Sequence, residues 1–370
     1  MFIVTNRDVD ETQTTVSKAF GARPNPRGPN ELRLAEAVRE GRRWRVKILP
    51  DAITREMADE VGLQPQLDPE TGEARPIYAS SYVARKILAR INPKSTGSAE
   101  KGRNLVFFVH GYNNDVEAVL DRAERLENNY GVEVLPFTWP ANGGGVTGVA
   151  SYKSDKRDAL ASTGALDRCL ARIEELLHEI HAEHVKRVED EANRRFADDG
   201  EQWDRFFTSQ AQKWCPFTLN MMLHSMGNYV FKHLLKSSVY RGDLLVFDNV
   251  VLVAADTNNE SHAEWVDRIN CRGHVYVTIN ERDGALQASR MKLGEQQKAR
   301  LGHYPYRLDS RQAVYVDFTG QAHVGDSHAY FEDRPLRNAK VKAFFQKALN
   351  GEFAEDGLAF DVGRNMYKLS

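Results

Sequence analysis

Serine is a weak nucleophile at neutral pH and becomes a strong one only where the backbone lifts its hydroxyl clear and a base stands within reach. The segment N-M-M-L-H-S-M-G-N at 220–228 has the makings of such a place. An apolar run ends in His224-Ser225-Met226-Gly227, and an amphipathic stretch begins at once. A sharp strand–turn–helix elbow of this kind projects the serine hydroxyl from a sheet rim and demands small neighbours, of which Gly227 is one. The first N–H groups of the helix then place a positive dipole end beside a developing oxyanion. The elbow fingerprint is G-x-S-x-G, and Leu223 stands at its first position, which asks the neighbouring helix to stand off slightly.

The remaining parts of an acyl-transfer site can be sought from that serine. V-H-G-Y at 109–112 follows an earlier apolar run, where a loop could donate half of an oxyanion hole. The backbone N–H groups of Tyr112 and Met226 are the expected donors. Two aspartates end later apolar runs. Asp256 follows the first strand beyond the elbow and Asp283 the second, which is the commoner place for the acid, so Asp283 is favoured and Asp256 remains its competitor. His328, in G-D-S-H-A-Y-F beyond the last strand, is the expected base, with His323 of the same loop as the alternative. His224 points to the other side of the elbow and reads as a packing residue. Tyr112, Trp139 and Tyr152 are the expected substrate-binding residues, with Met226 beside them.

These residues need a scaffold, and the sequence outlines one. From about residue 103 short apolar runs alternate with longer amphipathic ones, the pattern of a parallel sheet flanked by helices. Strands are predicted at 105–110, 132–138, 218–223, 249–254, 274–279 and 313–317. The stretch 116–126 recurs at helical spacing, closed by Gly131 as a C-cap. Further helices are expected at 228–237 and 338–349, and a long one from 155 to about 183. Its continuation to about 212 is dominated by charge, and residues 183–214 read as an exposed helical insertion within a single 1–370 domain. In the first hundred residues only 2–5 and 44–49 look like strands, and 22–30 reads as irregular from its prolines.

Composition excludes several classes. Fifty basic residues against 52 acidic ones leave a formal charge of −2, so no global field argues for nucleic acid. Cys169, Cys215 and Cys271 are too few and scattered for a disulfide framework, and read as reduced thiols in a cytoplasmic protein. No run approaches a membrane span of roughly 18–20 apolar residues. His178, His181 and His184 share a helix without H-E-x-x-H and read as a solvated face. Gly143–145 lacks the Gly-Lys-Ser/Thr ending of a phosphate loop, and the basic run 186–195 is interleaved with acids. No cofactor or metal is expected.

Taken together the motifs resemble the α/β-hydrolase superfamily, and within it a mainly bacterial subfamily catalogued as a hydrolase-like domain of unknown function. The likeness rests on T-N-R (5–7), F-V-H-G-Y-N-N (108–114), F-x-W-P (137–140), Tyr152 with Asp155, and H-S-M-G-N (224–228). It continues through A-x-D (254–256), D-x-A-L (283–286), R-L-G (300–302) and H-x-Y-F (328–331), in order over nearly the whole chain. The resemblance implies an α/β-hydrolase fold and a triad of Ser225, Asp283 and His328. The expected activity is a serine hydrolase acting on a small-molecule or acyl ester, thioester or amide, esterase- or lipase-like before peptidase. The rival expectation is a non-catalytic scaffold of the same fold, with the charged helix as the surface for a protein partner.

Overall fold

The strand Leu105–Val109 shows how the core is built. Val106 and Phe108 face one side of a sheet, Phe107 and Val109 the other, and all four are fully buried. Covering a strand on both faces requires a continuous apolar run instead of alternation. The computed structural model describes residues 1–92, 102–141, 152–213, 217–237, 245–291 and 298–369.

The N-terminal part carries β1 (Phe2–Thr5), β2 (Arg7–Val9), α1 (Val16–Ala19), β3 (Phe20–Pro24), β4 (Arg33–Glu40), β5 (Arg43–Ile48), α2 (Arg55–Glu60) and α3 (Ala79–Ile91). Then come β6 (Leu105–Val109), α4 (Val116–Tyr130), β7 (Glu133–Thr138), α5 (Tyr152–Ala161), α6 (Thr163–Arg195) and α7 (Gly200–Ala211). The last part holds β8 (Leu219–His224), α8 (Gly227–Lys236), β9 (Val250–Val253), α9 (Ala263–Val266), β10 (Val275–Ile279) and α10 (Gly284–Arg290). It ends with β11 (Ala313–Asp317), α11 (Ala339–Ala348), β12 (Ala359–Asp361) and β13 (Met366–Lys368).

Among the described residues eleven strands form one sheet, ordered β12-β13-β11-β10-β9-β8-β6-β7-β1-β4-β5. The run from β13 to β1 is parallel throughout. Only β4, β5 and β12 join antiparallel, at the two edges. One face is covered by α3, α6 and α8, through Val83, Ile87, Leu166, Leu170, Val230 and Leu234. The other is covered by α4 and α11, through Val119, Leu126, Phe344 and Phe345. The chain steps from β6 outward to β7, then returns to β8 and proceeds the opposite way to β11. A reversal of this kind opens a crevice beyond the carboxyl ends of the two central strands, and a site is expected there.

The central strands, α4 with its left-handed Gly131 cap (φ +65°), α8 and α11 lie where the sequence puts them. The long charged helix differs. It breaks at Ser162, runs to Arg195 and folds back as α7. The hairpin is closed by Phe196 against Phe206, Trp203 Nε1 donating to Asn193 Oδ1 at 2.8 Å, and His184 Nε2 bonded to the Gln210 carbonyl at 3.0 Å. No residue of α7 is buried, so the expected exposed excursion is a helical hairpin. β4 escapes composition-based reading because its Ala and Glu favour no strand, and it extends only because β1 and β5 pair with it. Cys215 and Gly143–145 lie outside the described residues. Cys169 is buried and Cys271 half-buried, both as free thiols. Among the described residues no helix is long and apolar enough to cross a membrane.

Candidate active site

Ser225 sits between β8 and α8 with φ +55°, in the left-handed region. For a residue with a Cβ this costs roughly 1–2 kcal/mol, so the surroundings must hold it. Its N–H donates to Val253 O (3.0 Å), and its carbonyl accepts from Asp256 N (3.2 Å) and Asn228 N (3.1 Å). The Asn228 amide reinforces the bend by donating to Leu223 O, Ser225 O and Val253 O at 3.0 to 3.3 Å. Two glycines let the chain pass. A Cβ on Gly227 would lie 2.6 Å from Val109 O, and one on Gly111 would lie 2.7 Å from Ser225 Cβ. Leu223 is fully buried at the first fingerprint position and packs in the core facing α8.

The loop after β6 is braced from behind. His110 is fully buried and stacked on Trp139, with centroids 5.2 Å apart. Its Nε2 accepts from Trp139 N (3.1 Å), so Nδ1 carries the proton it donates to Gly111 O (2.7 Å). Trp139 Nε1 returns a bond to His110 O at 3.0 Å. The Trp139 side chain has no exposed surface and braces His110. Arg7 is buried and bonds Thr138 Oγ1 (3.1 Å), Gly21 O (3.3 Å), Asn114 O (3.1 Å) and Ala141 O (3.3 Å). Burial lowers its pKa to about 10, which leaves it cationic at neutral pH. Asn114 in turn donates to Tyr112 O (2.8 Å) and Gly111 O (3.2 Å). Tyr112 is half-buried at the edge of the core, and Met226 is buried at the head of α8. Met226 N–H makes no hydrogen bond among the described residues. The Tyr152 side chain lies outside the described residues.

Asp283 and His328, the expected acid and base, meet on neighbouring loops. Asp283 is fully buried and caps α10, its Oδ1 accepting from Ala285 N (3.0 Å) and Leu286 N (2.9 Å). That leaves Oδ2 to accept from His328 Nδ1 at 2.7 Å. The Asn280 amide holds the histidine loop by donating to Gly325 O (3.1 Å) and Ser327 O (3.2 Å), while Gly284 N donates to Asp326 O. His224 is fully buried, with its ring 4.7 Å from that of His328, and its Nε2 donates to the His328 carbonyl at 3.1 Å. Burial, then the neighbouring His328, hold the His224 pKa well below the usual range, as befits a packing residue. His323 is exposed, away from this pairing.

Asp256 is engaged elsewhere, paired with buried Arg300 at 3.0 Å and accepting from Ser289 Oγ at 2.6 Å. Glu332 joins the base loop to α4, accepting from Arg122 (2.8 Å) and Arg125 (2.9 Å), while Arg122 reaches Asn114 Oδ1 at 3.4 Å. Asn280, Asn228, Arg7 and the Arg122–Glu332 bridge were not singled out from sequence. Arg7 and Asn228 lay within quoted motifs, but the bonds that tie them to other strands, from Arg7 to Thr138 and from Asn228 to Val253, gave no local signal. Ser225 is 5% exposed, and its hydroxyl makes no hydrogen bond to His328 among the described residues. In an unliganded site that link is often long and closes only with substrate bound. Among the described residues no cluster of three or more His, Cys, Asp or Glu side chains is placed to hold a metal ion.

Burial, then Arg7, push the His110 pKa down to about 3 from 6.5. A histidine that is neutral when folded and protonates when unfolded stabilises the fold fully above pH 6.5. That stability drains away as pH falls from 6.5 towards 3. Between pH 7 and 5 His110 alone should cost about 2 kcal/mol, at 1.36 kcal/mol per pKa unit. Urea midpoints of wild type and His110→Gln at the two pH values check this, since the variant should lose less stability on acidification.

A mostly parallel sheet of this order, with helices on both faces, is the architecture of alpha/beta hydrolases. The chain belongs to the family described as alpha/beta hydrolase of unknown function, whose model matches residues 93–183 and 202–335. The unmatched stretch between them falls where α6 turns into α7. No curated protein and no solved structure matches the chain.

Proposed function

We propose that the protein is a serine hydrolase in which Ser225 is the nucleophile, His328 the general base and Asp283 the residue that orients His328. The observation carrying this reading is the 2.7 Å bond from His328 Nδ1 to a buried Asp283, on loops packed against the strained Ser225 elbow. With Nδ1 donating to the carboxylate, Nε2 keeps its lone pair for the serine proton. Ser225 Oγ attacks the substrate carbonyl while His328 takes the proton, then delivers it to the leaving group. The N–H groups of Met226 and Tyr112 stabilise the tetrahedral oxyanion, and water releases the acyl-enzyme through the same base. The substrate is an ester, thioester or amide, with an apolar acyl ester preferred on the base rates of the fold. Tyr112 and Tyr152 contact it, and Trp139 contributes through His110.

A fluorophosphonate probe tests the reading because it reacts only with an activated serine. Wild type should be labelled on Ser225, and Ser225→Ala should not. A folded wild type that resists labelling would instead favour a non-catalytic scaffold.

A further inference from the structure

Between α3 and α6, on the face of the sheet shared with α8, lies a cavity of about 680 Å³. Its floor is made by Leu105, Leu135 and Leu219 of the sheet, and its walls by Ile87 and Leu88 of α3 and Ile173 of α6. Leu105 and Leu219 begin β6 and β8, whereas Ser225 follows the end of β8. At about 3.3 Å rise per residue, the six steps from Leu219 put the nucleophile roughly 20 Å away, at the opposite rim. The cavity is therefore separate from the candidate active site.

We propose that this cavity binds an uncharged lipophile, such as a long-chain alcohol or a neutral ester. Most of the lining is aliphatic, and an unfilled apolar space forfeits the dispersion contacts of its walls, so an apolar guest is favoured. The one thiol in the wall, Cys169, has its pKa pushed up to about 12 by burial and adds no charge. The volume lies within the range of sites for small molecules.

The charged part of the lining disfavours an anion. Its arginines are already neutralised: Arg33 by Asp51 (3.3 Å), Arg168 by Glu31 (3.4 Å) and Arg172 by Glu175 (2.9 Å). Arg172 also spends two donors on Ser80 and Ser81 of α3. A carboxylate entering there meets the like charges of Glu31, Asp51 and Glu175 beside those arginines, whereas a neutral head meets no such repulsion.

Fluorescence titration with the neutral probe N-phenyl-1-naphthylamine tests the proposal, since it is independent of the hydrolase reading. Wild type should bind one probe saturably, and Ser225→Ala should bind it equally, which separates this cavity from the nucleophile's crevice. Dodecanol should displace the probe at least tenfold more effectively than dodecanoate. Ala84→Trp, which fills the α3 wall, should weaken binding at least tenfold with fluorophosphonate labelling unchanged. Leu176→Trp on the α6 wall provides the same reading should the first variant lose its cooperative melt. Absence of saturable binding, or undiminished binding in a folded filled variant, overturns the cavity as a site. Equal displacement by dodecanoate overturns the uncharged class.

Discussion

Replacing Asp283 by Asn is expected to lower turnover of an activated ester by about four orders of magnitude while leaving the melting temperature near wild type. The two halves of that result come from two atoms. Oδ1 caps α10 through Ala285 and Leu286, and asparagine caps a helix about as well as aspartate, so the helix should survive. The other position, where Oδ2 now accepts from His328, becomes an amide that donates to Nδ1. The imidazole proton must then move to Nε2, the atom needed to accept from Ser225, and the imidazolium loses its counter-charge. Asp256→Asn is the matched control. It leaves buried Arg300 without its carboxylate, a loss on the order of 3–5 kcal/mol, so its signature should be a lowered melting temperature. If Asp256→Asn silenced a well-folded enzyme and Asp283→Asn did not, the acid would be misassigned.

Gly111→Ala is expected to reduce kcat by roughly 10²- to 10³-fold, the scale of losing one oxyanion donor. The added methyl would stand 2.7 Å from Ser225 Cβ, closer than real Cβ contacts allow, and a tight 3.2 Å from Ser225 Oγ. Either the nucleophile turns aside or the loop bearing the Tyr112 N–H backs away. The brace of His110, Asn114 and Arg7 behind that loop resists the second movement. A strained fold should lose about 1–3 kcal/mol as well. Fluorophosphonate labelling should slow without vanishing, since Ser225, His328 and Asp283 all remain. A wild-type rate in this variant would mean that the loop after β6 does not approach the reacting carbonyl.

The parts of the site that could be read from sequence are those with local signatures. Ser225 stands out because an apolar strand, a tight turn and an amphipathic helix follow within a dozen residues. Asp283 and His328 follow from counting strands after it, and the structure brings that pair together. What sequence could not show is which polar groups fasten these loops to one another. Glu332 meets Arg122 across 210 residues and Arg7 meets Thr138 across 131, and neither separation leaves a periodic trace. Trp139 was ambiguous in sequence because a large aromatic after a strand can face a crevice or the core, and in the structure it is buried against His110. In the N-terminal region β4 was invisible because pairing, not propensity, makes it a strand. β12 and β13, three residues each, are too short for any pattern to register.

The buried Arg7 also imposes an order in time. It leaves the ribosome more than a hundred residues ahead of Asn114, Thr138 and Ala141, three of the groups it holds. Until they emerge, a cation destined for the interior must wait in solvent, so the corner it organises cannot close before residue 141 has been made. Regained turnover of an activated ester after dilution from denaturant should accordingly lag the return of helical signal, reporting when Arg7 has found its partners on the loops after β6 and β7.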